Sequence, residues 1–309
     1  MQQLHDMDTF FPRDPKTLTR EEQIKALLSL IFLKQKHTGE VKSRTCINGA
    51  PQRAYIKKED AASPTVATDS VFITGAIDAY EGRDVATCDL PGTFLHTITD
   101  EKVIMVLRNK LCDLMVAVNP KLYRKYVCKD KRGKPVLYAE LFKSLYGLMR
   151  SVLLFYRKLK KELEEYGFEL NPYDPCVANK TTKDGSQLTV SWHVNDLKIS
   201  CKNGWEITKL LLHLKKIYGE KISIHQGKQF TYLGMQLDYS EPGTSLRRSR
   251  SPAHAHTIKT YFALEKRAKP SSSPRSKPLN STTLWPNWSS CKNEQEETSR
   301  QRLHSFLLE

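Results

Sequence analysis

Apolar and polar positions alternate in two short runs that meet near residue 195. Val190, Trp192 and Val194 are interleaved with Thr189, Ser191 and His193, and Leu197 and Ile199 resume the alternation after a break. A period of two is the mark of a strand with one buried face, and two such runs joined by the Asn195-Asp196 step predict a β-hairpin with an acidic tip. Upstream, Val85–Cys88 is a short apolar run that ends in Asp89, with a Pro91-Gly92 turn behind it. Val41–Ile47, Val103–Leu107 and Tyr232–Leu237 also read as strands, and Lys129–Pro135 as the connection of a hairpin.

Other stretches keep the helical period. Thr19-Arg20-Glu21-Glu22 is a capping box, and the helix it opens sets Ile24, Leu27, Leu28 and Ile31 on one face. A helix is expected over Asp69–Tyr80, ended by Gly82, and another over Trp205–Tyr218, closed by Gly219. Leu141, Leu145, Leu148, Val152, Phe155, Leu159 and Leu163 recur at steps of three and four, predicting a long amphipathic helix with a break near Gly147. Leu111–Val118 stays open between helix and strand. Strands and helices are both expected along the chain.

From about Glu241 the apolar period stops. Ser, Pro, Lys and Arg dominate, the composition of a disordered tail. The 309 residues carry a formal net charge of +15, shared between the first 240 residues and the tail, which favours a polyanionic partner, nucleic acid before membrane. Seven scattered cysteines form no C-x-x-C pair, against a zinc site or a disulfide framework and for a reducing compartment. No apolar run approaches the ~20 residues that span a bilayer, and residues 1–13 lack the apolar core of a secretory signal. An intracellular location, cytoplasmic or nuclear, is expected.

The two acidic points carry the chemistry. Asn and Asp at a hairpin tip are also favoured for backbone reasons alone, so the hairpin by itself is equally a plain turn. Asp89 changes the balance. A carboxylate at a strand end can hold a divalent cation, the amides of the following turn can reach a triphosphate, and Phe94, five residues on, can pack under a sugar. Taken with Trp192-His193-Val194-Asn195-Asp196-Leu197-Lys198-Ile199-Ser200, this resembles the palm of a copia-type LTR retrotransposon reverse transcriptase. That family carries D-(x)4-F/Y in its first motif and a Y-V-D-D-like hairpin in its second. Leu145-Tyr146-Gly147-Leu148 is similar to its L-Y-G-L motif, continued here by Met149-Arg150-Ser151-Val152 where the family has K-Q-A-P.

The resemblance implies an α+β fold, the palm and fingers of a polymerase right hand. Residues 1–84 would be the lead and fingers-like region, 85–240 the palm-like region, with an antiparallel sheet packed on helices, and 241–309 the basic tail. It implies Asp89 and Asp196 as metal ligands for Mg²⁺, with Mn²⁺ the alternative ion, and Asn195 at the position where the family has the first aspartate of its pair. Lys42, Arg44, Gly92, Thr93, Phe94, Gly147 and Arg150 would meet the nucleotide, and Leu233, Gly234 and Met235 would form the primer grip. The partners implied are an RNA or DNA template–primer and deoxynucleoside triphosphates, and the activity is RNA-directed DNA synthesis, impaired by Asn195. The alternative is a catalytically dead nucleic-acid-binding or pseudogene-derived protein.

Overall fold

A computed structural model describes residues 1–35, 39, 41–240 and 245–248, with residue 42 and residues 245–248 described in backbone only. The described residues all fall within one compact unit, Met1–Phe262. The strands are β1 (Phe10–Arg13), β2 (Leu27–Gln35), β3 (Val41–Ile47), β4 (Asp84–Asp89), β5 (Ile104–Arg108), β6 (Cys128–Lys129), β7 (Pro135–Leu141), β8 (Glu169–Leu170), β9 (Val177–Thr181), β10 (Gln187–His193), β11 (Asp196–Cys201), β12 (Ser223–Gly227), β13 (Gln229–Tyr232), β14 (Met235–Asp238) and β15 (Ser245–Arg248). The helices are α1 (Gln2–Asp6), α2 (Arg20–Lys25), α3 (Lys58–Ala61), α4 (Thr68–Glu81), α5 (Lys110–Val118), α6 (Pro120–Tyr123), α7 (Ser151–Glu165) and α8 (Gly204–Tyr218). The fold is α+β.

Three sheets organise these elements. The first runs β1-β7-β5-β2-β3 with β6 on the flank of β7, so β5 and β7, from beyond residue 84, share a sheet with β1–β3. The second runs β12-β4-β11-β10-β9-β8, and the third β13-β14-β15. All pairings are antiparallel except β2 with β5, which run parallel at Leu27↔Met105 and Leu28↔Val106.

Two hydrophobic clusters follow the first two sheets. One joins Leu27, Met105, Leu107, Met115, Leu137 and Ala139; the other joins Ala86, Phe155, Leu159, Val190, Trp192, Leu197, Ile199 and Leu210. The middle strands of the second sheet are buried and alternate Val190, Trp192, Leu197 and Ile199 with polar Thr189, Ser191, Lys198 and Ser200, and α8 sends Ile207, Leu210, Leu211 and Leu214 into the apolar cluster. Burial of side chains of this size stabilises by ~1.5–3 kcal/mol each, before the entropy of ordering them.

The helix opened at Thr19 is shorter than its sequence predicts. The capping box forms, with Glu22 N donating to Thr19 Oγ1 at 3.2 Å and Thr19 N donating to Glu22 Oε2 at 2.8 Å. The helix ends at Lys25, and Leu27–Gln35 is a strand between β5 and β3. Leu27–Leu33 is a nearly continuous apolar run, which fits a strand as well as one face of a helix, and pairing on both sides decides it. The long helix expected from Leu141 begins only at Ser151; Leu141 ends β7. Gly147 has φ +95°, and the Tyr146 carbonyl accepts from Ile47 N at 2.7 Å instead of from a helical neighbour.

Leu111–Val118, open on sequence, lies in α5. The strand expected over Tyr232–Leu237 is a hairpin, because Leu233 and Gly234 both take positive φ and close a tight turn between β13 and β14. Of the disordered tail expected from residue 241, Ser245–Arg248 pairs as β15 with β14, and the remainder lies outside the described residues.

Candidate active site

β4 and β11 bring the two acids together from distant parts of the chain. They pair antiparallel with Asp89 opposite Asp196, and β12 places Ser223 on the other side of Asp89. Across the hairpin, His193 lies opposite Asp196. Ser223, Asp89, Asp196 and His193 therefore form one row across four neighbouring strands at the end of the sheet.

The hairpin turn is Val194-Asn195, one residue earlier than the Asn195-Asp196 step suggests, since Asp196 already pairs as the first residue of β11. Val194 sits at φ +57°, a region that β-branched residues rarely enter. Its side chain packs against the core of the second sheet. The strained residue turns Asn195 across the strand ends toward β4: Leu90 N donates to the Asn195 carbonyl at 3.0 Å, and Asn195 Nδ2 donates to Asp89 Oδ1 and, at 3.4 Å, to the Leu90 carbonyl. Both partners are acceptors, so the amide nitrogen, not its oxygen, faces Asp89.

The electrostatics of the row follow from burial and like charge. Asp196 is half-buried, and burial together with the neighbouring Asp89 carboxylate raises its pKa, opposed in part by His193. Beneath them, burial first and then both carboxylates push the Cys88 thiol up to about 12. Two oxygen-rich groups that repel each other are the donor chemistry a hard divalent cation relieves. The Asn195 N–H pointing into Asp89 competes with such a cation, because it occupies an acceptor with the positive end of a neutral amide dipole. Among the described residues, no cluster of three or more His, Cys, Asp and Glu side chains is arranged to hold a metal.

Two buried anchors hold this end of the sheet, and neither was singled out from the sequence. Lys198, two residues beyond Asp196 on β11, forms an ion pair with Asp78 of α4, both side chains 1% exposed. Tyr232 Oη lies 3.3 Å from the Ser191 carbonyl and 3.4 Å from that of Asp196, tying β13 to the backbone of the acidic hairpin. A Lys inside a strand motif and a Tyr beginning one are visible on sequence, but their partners, 120 and 36 residues away, are not.

The remaining expected residues divide. Gly92 takes φ +63° and starts the turn that carries Thr93 and Phe94, both buried. Phe94 is 6% exposed, its ring edge-on to Tyr146 at 4.7 Å and to Phe155 at 6.5 Å. Gly147 is held against β3: a Cβ there would lie 1.9 Å from the Ile47 carbonyl oxygen, and one at Gly49 would lie 2.1 Å from the Gly147 carbonyl oxygen. The exposed Arg44 sets its guanidinium 5.8 Å from the centre of the Tyr146 ring. The Lys42 side chain lies outside the described residues. Arg150 is engaged by Asp100 at 2.7 Å. Leu233 and Gly234 form the β13–β14 turn, and Met235 is buried beneath it.

No helix among the described residues is long and apolar enough to cross a membrane, and the six described cysteines are free thiols.

Comparison with known proteins meets this geometry from outside. The chain is similar to the retrovirus-related Pol polyprotein from transposon TNT 1-94 of Nicotiana tabacum, with 24% identity over 233 residues, covering 75% of this chain and 16% of that polyprotein. Among solved structures, it matches telomerase from Candida albicans in complex with a fragment of telomeric RNA (TM-score 0.42, 10% identity, 86% of this chain and 54% of that one). It also matches the foamy viral protease–reverse transcriptase in complex with double-stranded DNA (TM-score 0.41, 14% identity, 86% of this chain and 35% of that one). The chain thus spans a small part of the tobacco polyprotein and about half or less of these two structures. The family model for reverse transcriptase (RNA-dependent DNA polymerase) matches residues 24–250, and the chain belongs to that family as a partial copia-type reverse transcriptase domain.

Proposed function

We propose that residues 1–240 form the fingers-like and palm-like parts of an RNA-directed DNA polymerase, with Asp89 and Asp196 at its nucleotidyl-transfer centre and with catalysis lowered by Asn195. The observation that carries this reading is the strand register that sets Asp89 opposite Asp196, with Asn195 hydrogen-bonded to Asp89.

Asp89 and Asp196 would hold Mg²⁺, or Mn²⁺ in its place. A cation held there would lower the pKa of a primer hydroxyl and stabilise charge on the attacking and leaving oxygens. What this chain supplies is the alignment. β4 and β11 set Asp89 and Asp196 opposite each other, Lys198 and Tyr232 anchor β11, and the turn begun at Gly92 follows closely after Asp89. Asn195 supplies a neutral amide where a carboxylate would add charge. It leaves the fold of the hairpin intact and removes part of its hold on a cation. An RNA or DNA template–primer suits the net charge of +15, and deoxynucleoside triphosphates are the substrates this centre would use.

Primer extension on an RNA template tests this directly. Asn195→Asp should raise Mg²⁺-dependent extension at least about a hundredfold, since several kcal/mol of charge stabilisation are at stake and each ~1.4 kcal/mol is tenfold in rate. Asp89→Asn in that same background should abolish it, and extension that survives would remove Asp89 from the centre. The second reading is a nucleic-acid-binding protein without catalysis, favoured by the amide seated on Asp89. It gives steeply salt-dependent binding to primer–template and no extension by the native chain or by Asn195→Asp.

A further inference from the structure

We propose that the surface running from α6 through the β6–β7 hairpin, together with the cavity beside it, is a docking site for single-stranded nucleic acid that lies apart from the acidic centre. The inference goes beyond the nucleotidyl-transfer reading and stands whether or not the chain extends a primer.

Charge marks the place. From Lys121 to Lys134 the chain carries Lys121, Arg124, Lys125, Lys129, Lys131, Arg132 and Lys134 against the single acid Asp130, a net +6 of the total +15. All seven cations are exposed. The helices α7 and α8 are built differently: Lys158, Lys160 and Lys161 pair with Glu162, Glu164 and Glu165, and Lys209 pairs with Glu206. Among the described residues none of the seven cations forms a salt bridge, and Asp130 is turned to Arg108 at 3.7 Å. Like charges gathered without partners repel one another, and a polyanion relieves that repulsion.

The hairpin holds its cations in place. Asp130 Oδ1 accepts from Arg132 N at 2.8 Å and from Lys134 N at 3.0 Å. Gly133 N donates to the Asp130 carbonyl and Asp130 N to the Lys134 carbonyl, both at 2.9 Å. A turn closed in this way has little left to order when a ligand arrives.

The cavity points to an unpaired strand. On α5 and into α6, Asp113, Val116, Ala117 and Pro120 recur at steps of three and four, and with Cys112, Arg124 and Val127 they line a cavity of about 360 Å³. Sites for small molecules span ~300–1,000 Å³, so there is room for a nucleobase. The lining is apolar apart from Asp113, an acceptor, and Arg124, a donor, and those two can meet the edge of a base. Arg124 belongs both to the cavity and to the basic run. A strand whose phosphates follow the cations can therefore set one base into the cavity, whereas a duplex keeps its bases stacked.

Position separates this site from the acids. Cys128 and Lys129 pair with Val136 and Pro135 at the start of β7. The crossing at Gly147 follows the other end of that strand, Leu141, about 20 Å further along it.

The test is fluorescence anisotropy of the full chain with a labelled oligouridylate of about 20 nucleotides, across about 50–200 mM salt, with each variant checked by circular dichroism. The native chain should bind with a log–log salt slope of about −4 or steeper. Lys131→Gln/Arg132→Gln/Lys134→Gln should weaken binding about tenfold or more and flatten the slope by about 2. Lys160→Gln/Lys161→Gln/Lys183→Gln removes the same charge elsewhere and should cost less than about threefold. Ala117→Phe, which fills the cavity, should weaken binding about fivefold with the slope unchanged. If it does not fold, Ala117→Leu takes its place with the same expectation. Equal losses in the two triple variants overturn the site, because net charge alone then explains them. Unchanged affinity in the folded cavity variant, or equal binding of a duplex of the same length, overturns the single-strand assignment. A native chain that binds phosphatidylserine vesicles but not the oligomer overturns the proposal outright.

Discussion

The side-chain amide of Asn195 is hydrogen-bonded to the carboxylate of Asp89, 106 residues earlier in the chain. An amide N–H in that place does for Asp89 what a cation would do, at lower strength and without charge. Replacing it with a carboxylate puts three acids at one sheet end. Asn195→Asp should therefore melt lower than the native chain in EDTA, by about 2–4 °C for each kcal/mol of added repulsion, and regain the loss in millimolar Mg²⁺. The native chain should respond less to Mg²⁺ in the same thermal-shift measurement. Equal Mg²⁺ responses would mean that position 195 has no part in metal binding.

Asp196 gives a pH signature. Its folded pKa is raised above that of the unfolded chain, so its contribution favours folding below the unfolded value near pH 4 and is lost as pH rises through the folded one. Removing the charge should relieve that loss. In metal-free buffer Asp196→Asn should melt above the native chain at pH 7, and the difference should shrink toward pH 4. Melting curves at the two pH values check the sign.

The Lys198–Asp78 pair is fully buried, and removing one partner leaves the other charge stranded. Lys198→Met should cost ~3–5 kcal/mol in urea unfolding. The double variant Lys198→Met/Asp78→Leu should recover most of that loss, because a buried pair exchanged for apolar groups of similar size is often close to neutral. Additive losses in the double variant would show that the two side chains act separately.

Gly147→Ala tests the crossing that fixes Tyr146. With a Cβ 1.9 Å from a carbonyl oxygen, and with φ +95° besides, the backbone must move. The expected loss is more than about 2 kcal/mol. Gly133→Ala, where φ is also positive (+74°) and nothing lies within 4 Å, should cost about 1 kcal/mol, and the difference between the two isolates the clash.

β15 moves the boundary of the folded part. A chain ending at Ser240 loses the strand that pairs with Met235–Asp238, whereas one ending at Arg248 keeps it. The shorter chain should melt lower and be clipped faster near residue 235 in limited proteolysis. Indistinguishable melts would mean that β15 contributes nothing to the stability of the third sheet.

Much of this was legible in local pattern. The alternation around Trp192, the capping box at Thr19 and the apolar face of α8 each appear where the period and the flanking residues point. The acidic pair was legible because Asp89 and Asp196 each end or begin an apolar strand. Elsewhere local pattern gave way to pairing. Leu27–Leu33 satisfies both a helical face and a strand, and only β3 and β5 choose between them. The break near Gly147 was legible, but the Leu233-Gly234 turn interrupts a run that looks continuous, because a positive φ leaves little trace in the apolar pattern. The contact of Tyr146 with Phe94 was not legible, since the two residues stand 52 positions apart in the chain. The four residues of β15 were hidden by two arginines and by the absence of any period to follow.

The register of β4 also has a consequence in time. On the ribosome, Val85–Cys88 emerges as an apolar strand whose two sheet partners, β11 and β12, lie more than a hundred residues downstream. At ~5–20 residues per second, that interval is on the order of 5–20 s. Through it the segment is an unpaired edge, open to wrong partners in the cell. The acidic centre therefore cannot form until β11 has been made, more than a hundred residues after Asp89.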